Sequence, residues 1–228
     1  MKIKKHITAL ATAAALSATL PAVAQQSQHM APETMLSLAR VGASALSPDG
    51  KTVVYSVGFP SIKDNKIRTE LFTISSDGSA RRQITQGVAG VHGARWTQQG
   101  RRISYISSES GAPQVWTMAP DGTDRRQVTN IEGGLSDYLF SPDEKQLAYI
   151  KEISFGKSTK EIYPDLPKAT GRIVTDLMYK HWDEWVETIP HIFIAPVGGE
   201  AITGGKDILE GEPYEAPTKP FGGAEELS

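Results

Sequence analysis

The densest run of chemically capable side chains in this 228-residue sequence is Tyr179-Lys180-His181-Trp182-Asp183-Glu184-Trp185. Two carboxylates flanked by two indoles suit a cation. Asp183 or Glu184 can accept charge-assisted hydrogen bonds, and the face of Trp182 or Trp185 adds a cation–π contact. The plainer alternative makes Trp182 and Trp185 packing anchors and leaves Asp183 and Glu184 as a solvated edge. His181 and Glu184 stand three apart with His191 beyond them, a spacing that could serve a metal. A third ligand and an open coordination position are not evident, so no metal and no cofactor are expected. His29 falls near the N-terminus and His92 at the start of a strand, and neither has a partner readable from sequence. No G-x-S-x-G elbow is present. The nearest stretch, Gly42-Ala43-Ser44-Ala45-Leu46, lacks the closing glycine and reads as strand. Phosphate loops and dinucleotide fingerprints are absent too. The sequence therefore offers a candidate binding cluster and no catalytic residue.

What must position that cluster is not settled by local pattern. Apolar or aromatic residues at 174, 177, 178, 182 and 185 fit one face of a helix, while Ile173 to Tyr179 could equally run as an extended arm.

The overall charge narrows the function classes. Lys and Arg number 24 against 26 Asp and Glu, a formal net charge of −2. The two signs are interspersed, which argues against a nucleic-acid footprint. With no cysteine, disulfides and thiolate metal sites are excluded. At the N-terminus, Lys2, Lys4 and Lys5 precede an apolar stretch from Ile7 to Leu20, and Pro21-Ala22-Val23-Ala24 supplies small residues for cleavage before Gln25. Residues 1–24 thus read as a signal peptide, with export to a bacterial periplasm expected. The apolar stretch is short for a membrane span, no later segment is apolar enough for one, and no cysteine follows the cleavage site to carry a lipid.

The fold signal is an internal repeat. Glu70 to Thr85, ELFTISSDGSARRQIT, matches Gln114 to Thr129, QVWTMAPDGTDRRQVT, at seven of sixteen positions and an offset of 44 residues. Each copy reads as a hairpin with an Asp-Gly turn, at Asp77-Gly78 and Asp121-Gly122, where glycine accepts a positive φ without steric cost. A second element precedes each copy: Ser47-Pro48-Asp49-Gly50 leads to Thr52–Ser56, Thr97-Gln98-Gln99-Gly100 to Arg102–Ile106, and Ser141-Pro142-Asp143-Glu144 to Gln146–Ile150. Strand, turn, strand, loop, strand, turn, strand over about 44 to 50 residues is the period of a propeller blade. The fold class is all-β, a partial β-propeller of about three four-stranded blades with an inserted arm.

Two full blades are expected at about 42–85 and 92–129. A third begins at Leu135, is interrupted by an insertion at about 151–190, and resumes at His191–Ala195 with a Gly198-Gly199 turn and a return through Glu200 to Thr203. Gly222 to Ser228 read like the approach to another first strand. Three blades cannot close a ring, which typically needs four to eight. The open edges could pair with another chain, a homodimer included, or this could be the front of a longer protein, 25–228 forming its incomplete propeller. The longer protein is the favoured expectation.

The Ser-Pro-Asp-Gly-Lys and Asp-Gly…Arg-Arg-Gln-Val-Thr pattern resembles the TolB-type propeller repeat. The run YPDLPKATGRIVTDLMYKHWDEWVETIPHIFIA, from Tyr163 to Ala195, with Glu212–Pro217 and Pro220–Gly223, resembles bacterial dipeptidyl-peptidases of the prolyl oligopeptidase family, in particular the dipeptidyl-peptidase 5 group. The resemblance implies a substrate-gating propeller covering a C-terminal α/β-hydrolase domain, absent here, that carries the Ser, Asp and His triad. It implies an oligopeptide substrate whose N-terminal ammonium would suit an acidic side chain facing the active-site cavity, with Glu184 and Asp183 the candidates. The chain alone would be inactive. The rival expectation is a non-catalytic TolB-like periplasmic propeller that binds protein partners.

Overall fold

The structure, a computed structural model, describes residues 30–174, 180–219 and 221–227. Residues 1–24, the expected signal peptide, lie outside them. Three four-stranded antiparallel sheets follow one another along the chain. The first contains β1 (Arg40–Leu46), β2 (Thr52–Ser61), β3 (Lys66–Ser75) and β4 (Arg82–Gln83). The second contains β5 (His92–Thr97), β6 (Arg102–Ser107), β7 (Gln114–Met118) and β8 (Arg126–Gln127). The third opens with β9 (Asp137–Phe140) and β10 (Gln146–Ser154). The chain then leaves it for an arm containing β11 (Lys180–His181) and β12 (Glu184–Trp185), and returns as β13 (Thr188–Pro196) and β14 (Lys206–Asp207). Each sheet runs in meander order, apart from the arm between β10 and β13. These are three blades of an incomplete β-propeller, as the repeat predicts.

The turns carry the repeat. Asp49 accepts from Ser47 Oγ at 2.6 Å and from the Lys51 amide at 3.1 Å, and Asp143 does the same with Ser141 (2.6 Å) and Lys145 (3.1 Å). Asp77 and Asp121 hold the Ser79 and Thr123 amides at 2.9 and 3.0 Å. Hydrogen bonds from the neighbouring hydroxyls lower all four carboxyls below the usual aspartate range. A carboxyl depressed by folding contributes stability that is present above the unfolded value and lost as pH falls through the folded one. The amide resonances of Lys51, Ser79, Thr123 and Lys145 are therefore expected to titrate with midpoints below that of a free aspartate. Midpoints at the free value would mean that these turns do not form in solution.

A buried polar hub knits each of the first two blades to the connector that follows it. Glu70 is fully buried, accepts from Thr85 Oγ1 and the Gly87 amide at 2.7 Å each, and pairs with Arg68. At the same rung of the second blade, Gln114 accepts from Thr129 Oγ1 (2.7 Å) and the Ile131 amide (2.9 Å) and donates to the Ile131 carbonyl (2.8 Å). The hub orders the backbone where one blade hands over to the next. Gln114→Ala strips partners from three buried polar groups. It is expected to destabilise by about 2 kcal/mol, read as a lower urea midpoint.

The repeated arginine has a role as well. Arg81 lies 4.9 Å over the Phe72 ring and donates to Tyr55 Oη at 3.1 Å, while Arg125 donates to Tyr105 Oη at 2.9 Å beside Trp116. Between the first and second blades, Val54, Leu71, Ile103, Tyr105 and Met118 form one core; between the second and third, Ile106, Val115, Tyr138, Leu147 and Tyr149 form another. β1 is exposed along most of its length, with Val41 at 73 %, although its Ala45 carbonyl accepts from Trp96 of the second blade at 3.0 Å.

Two expectations shift. The return strand of the third blade is β14 at Lys206–Asp207, not Glu200 to Thr203. Ile202 is drawn off into the core between the second and third blades, and its backbone bridges Thr129 instead. Residues 224–227, expected to approach a strand, form a short 3-10 turn near β9.

Candidate functional site

The arm stands on a long ladder. All nine residues of β10 pair with β13, from Gln146↔Pro196 to Ser154↔Thr188, so the excursion begins at Phe155 and ends at Glu187. A short helix, Thr159–Ile162, opens it, capped reciprocally by Ser158 and Glu161. The arm ends in a small hairpin, with Lys180 opposite Trp185 and His181 opposite Glu184. The hairpin rules out a helix face at Trp182 and Trp185, while the alternative of an extended arm from Ile173 to Tyr179 falls mostly outside the described residues, which omit 175–179.

Trp182 and Asp183 make the turn of this hairpin, and Trp182 has a φ of 52°. That left-handed conformation is uncommon for a bulky side chain and costs roughly 1 kcal/mol or more. Trp182 is 78 % exposed, so its own burial does not recover that cost. Asp183 and Glu184 are exposed beside it, and among the described residues neither carboxylate has a hydrogen-bonding or ionic partner.

Trp185 is placed differently. It lines a cleft of about 790 Å³ together with Ser158, Ile162, Ile173 and Val174. Arg172 lies 4.6 Å and Lys180 4.8 Å from its ring, and Arg172 is tied to Glu187 at 2.7 Å. Its aromatic face is thus already engaged by cations of the chain itself. The four residues singled out by sequence are therefore divided: Trp182, Asp183 and Glu184 share an exposed turn, and Trp185 belongs to the cleft wall. His191 is separate again, fully buried in β13 with Nδ1 2.8 Å from Asp207. Among the described residues no group of three or more His, Asp or Glu side chains is arranged to hold a metal.

One contributor was not legible. Phe221, 80 % exposed, meets the Trp182 ring edge to face at 5.8 Å. It comes from a distant segment with no periodicity linking it to the arm, so only the fold could bring it here.

No protein-family model matches the chain. It is 57% identical over 201 residues to Dipeptidyl-peptidase 5 of Porphyromonas gingivalis, a match that covers 88% of this chain and 29% of that protein. The chain is a homologue of part of Dipeptidyl-peptidase 5. The protein of the same name from Porphyromonas endodontalis is 47% identical over 195 residues, covering 86% of this chain and 28% of its own length. The chain thus spans less than a third of the length of these Dipeptidyl-peptidase 5 relatives. Among solved structures, the acylaminoacyl peptidase of Pyrococcus horikoshii superposes with a TM-score of 0.53 at 12% identity, over 74% of this chain and 25% of that one. That likeness bears on the fold alone.

Proposed function

We propose that this chain is the substrate-gating propeller portion of an exported serine dipeptidyl-peptidase, one that releases dipeptides from the N-termini of oligopeptides. The observation that carries the reading is the 57% identity to part of a Dipeptidyl-peptidase 5 of which the match covers 29%. The nucleophile and its triad partners are assigned to the hydrolase domain outside this chain, where acyl transfer through a serine would take place. The arm contributes the receptor for the substrate's N-terminal ammonium. Asp183 and Glu184 suit it because both carboxylates are exposed and unpartnered among the described residues on a turn the backbone holds at some cost. Trp182 adds an aromatic face to the same turn. Trp185, already flanked by Arg172 and Lys180, supports the arm rather than meeting the ligand.

A carboxylate that binds ground state and transition state alike changes KM and leaves kcat alone. In the protein carrying its hydrolase domain, Glu184→Gln with Asp183→Asn is expected to raise KM for dipeptide substrates by about 10- to 100-fold, the worth of a charge-assisted hydrogen bond. N-acetylated substrates should be poor for the parent protein and no worse for the variant. An unchanged KM for free-amine substrates would remove both residues from the site. A protein that bound polypeptides without hydrolysing them would favour the TolB-like binding module. Export by the Lys2–Ala24 segment is tested by sequencing the mature N-terminus, with Gln25 expected first.

A further inference from the structure

The third blade departs from the other two at the rung where their hubs sit. Phe72, Trp116 and Phe193 pair with Gln83, Gln127 and Asp207 in the three blades, so His191 occupies the place of Glu70 and Gln114. Those two hold the start of the next connector, at Gly87 and Ile131. His191 does not. Its Nδ1 is taken by Asp207 of the same sheet, and its buried Nε2 has no partner among the described residues. The position of Thr85 and Thr129 is taken by Leu209, which has no hydroxyl to offer. The connector after β14 accordingly lacks that side-chain hub, and residues 210–214 are exposed.

The segment beyond folds back on its own blade. The Ala216 amide donates to the Pro190 carbonyl at 2.9 Å, and Lys219 Nζ lies 2.9 Å from Glu152. Glu152 and Pro190 face each other on one rung of the β10–β13 ladder, two rungs before the arm departs, so the segment is anchored to the blade there. Two residues beyond Lys219, Phe221 meets Trp182 in the turn of the hairpin. The segment is itself braced: the Lys219 amide donates to Glu215 at 3.1 Å and the Thr218 amide to Glu226 at 3.2 Å. One segment thus links the blade, just below the arm, to the arm's distal turn.

We infer that residues 215–219 with Phe221 form a strap that sets the attitude of the arm, with Lys219, Glu152 and Phe221 acting as positioning residues for the carboxylate turn. The inference rests on the proposed receptor only for its functional consequence; the fastening itself can be read independently. The strap makes the arm's pose depend on one ionic latch, one aromatic latch and one main-chain bond. The first two can be loosened by substitution without touching Asp183 or Glu184.

The test uses the protein with its hydrolase domain and follows amide exchange across 180–187 alongside KM and kcat. Lys219→Glu or Glu152→Lys alone is expected to speed exchange about two- to five-fold, the range of a partly exposed ion pair. Phe221→Ala is expected to do so by about two- to ten-fold. The exchanged pair, K219E with E152K, should restore the parent rate. KM should rise with each loosened arm and fall back in the exchanged pair, with kcat steady. If exchange in the arm ignores all three single substitutions, or the exchanged pair fails to restore it, the strap is overturned. If exchange responds and KM does not, the strap stands and the receptor reading falls.

Discussion

Replacing Tyr138 by alanine is expected to cost about 3–5 kcal/mol, among the largest losses available to a single side chain in this fold. Tyr138 is fully buried where the second and third blades meet, so truncation opens a cavity in the core between them. Its hydroxyl reaches across the seam, 3.0 Å from the Gly93 carbonyl and 2.8 Å from Ser104 Oγ. Arg95 of β5 completes the joint, its guanidinium 5.0 Å over the ring and bonded to the Tyr138 carbonyl at 2.6 Å. Burial lifts the phenol well above its ordinary pKa, so it remains a neutral donor throughout the accessible pH range. Tyr138→Phe keeps the packing and loses only the hydroxyl's bonds, for about 1–2 kcal/mol. Urea unfolding of both variants separates the two contributions. Equal losses would mean that the hydroxyl, not the ring, holds the seam.

The second large effect concerns two turns that look alike in sequence. Gly78 and Gly122 close equivalent Asp-Gly hairpins with φ of 86° and 89°. An alanine at 78 would meet nothing within 4 Å, so Gly78→Ala carries only the backbone penalty of a left-handed residue, about 1–2 kcal/mol. At 122 the added carbon would fall well inside contact distance of the Ile84 carbonyl oxygen. That oxygen belongs to the neighbouring blade's backbone and cannot swing aside. Gly122→Ala is therefore expected to cost about 3 kcal/mol or more, as strain and overpacking combine. The check is the difference in urea midpoint between the two variants. Equal shifts would show that the hairpin tip of the second blade does not dock on the first.

That contrast also marks how far the sequence could be read. Asp49, Asp77, Asp121 and Asp143 announce their turns because an aspartate two residues before a free amide makes its bond locally, without help from the rest of the fold. The first two blades were legible for that reason. Contacts between blades were not. Nothing near Gly122 points to Ile84, and nothing near Ile202 says that its side chain is needed by the core of the second blade more than by its own sheet. The candidate site followed the same rule. Trp182, Asp183 and Glu184 stood out by composition, yet a tryptophan at positive φ breaks the usual turn chemistry, so the hairpin it turns had no local signature. Phe221 and Lys219 reach the arm only through the fold.

The interchangeable hubs of the first two blades have a consequence for how such a chain can lengthen. A blade that fastens its successor through Glu70 and Thr85, or through Gln114 and Thr129, carries its own splice. Copied in tandem, it would present the next copy with the same handover. The third blade carries no such splice, because His191 turns inward to Asp207 and the chain beyond it is tied back to β10. Duplication can therefore add members of the first kind without disturbing their neighbours, whereas a copy of the third would bring a second arm and lose its fastening to the next blade.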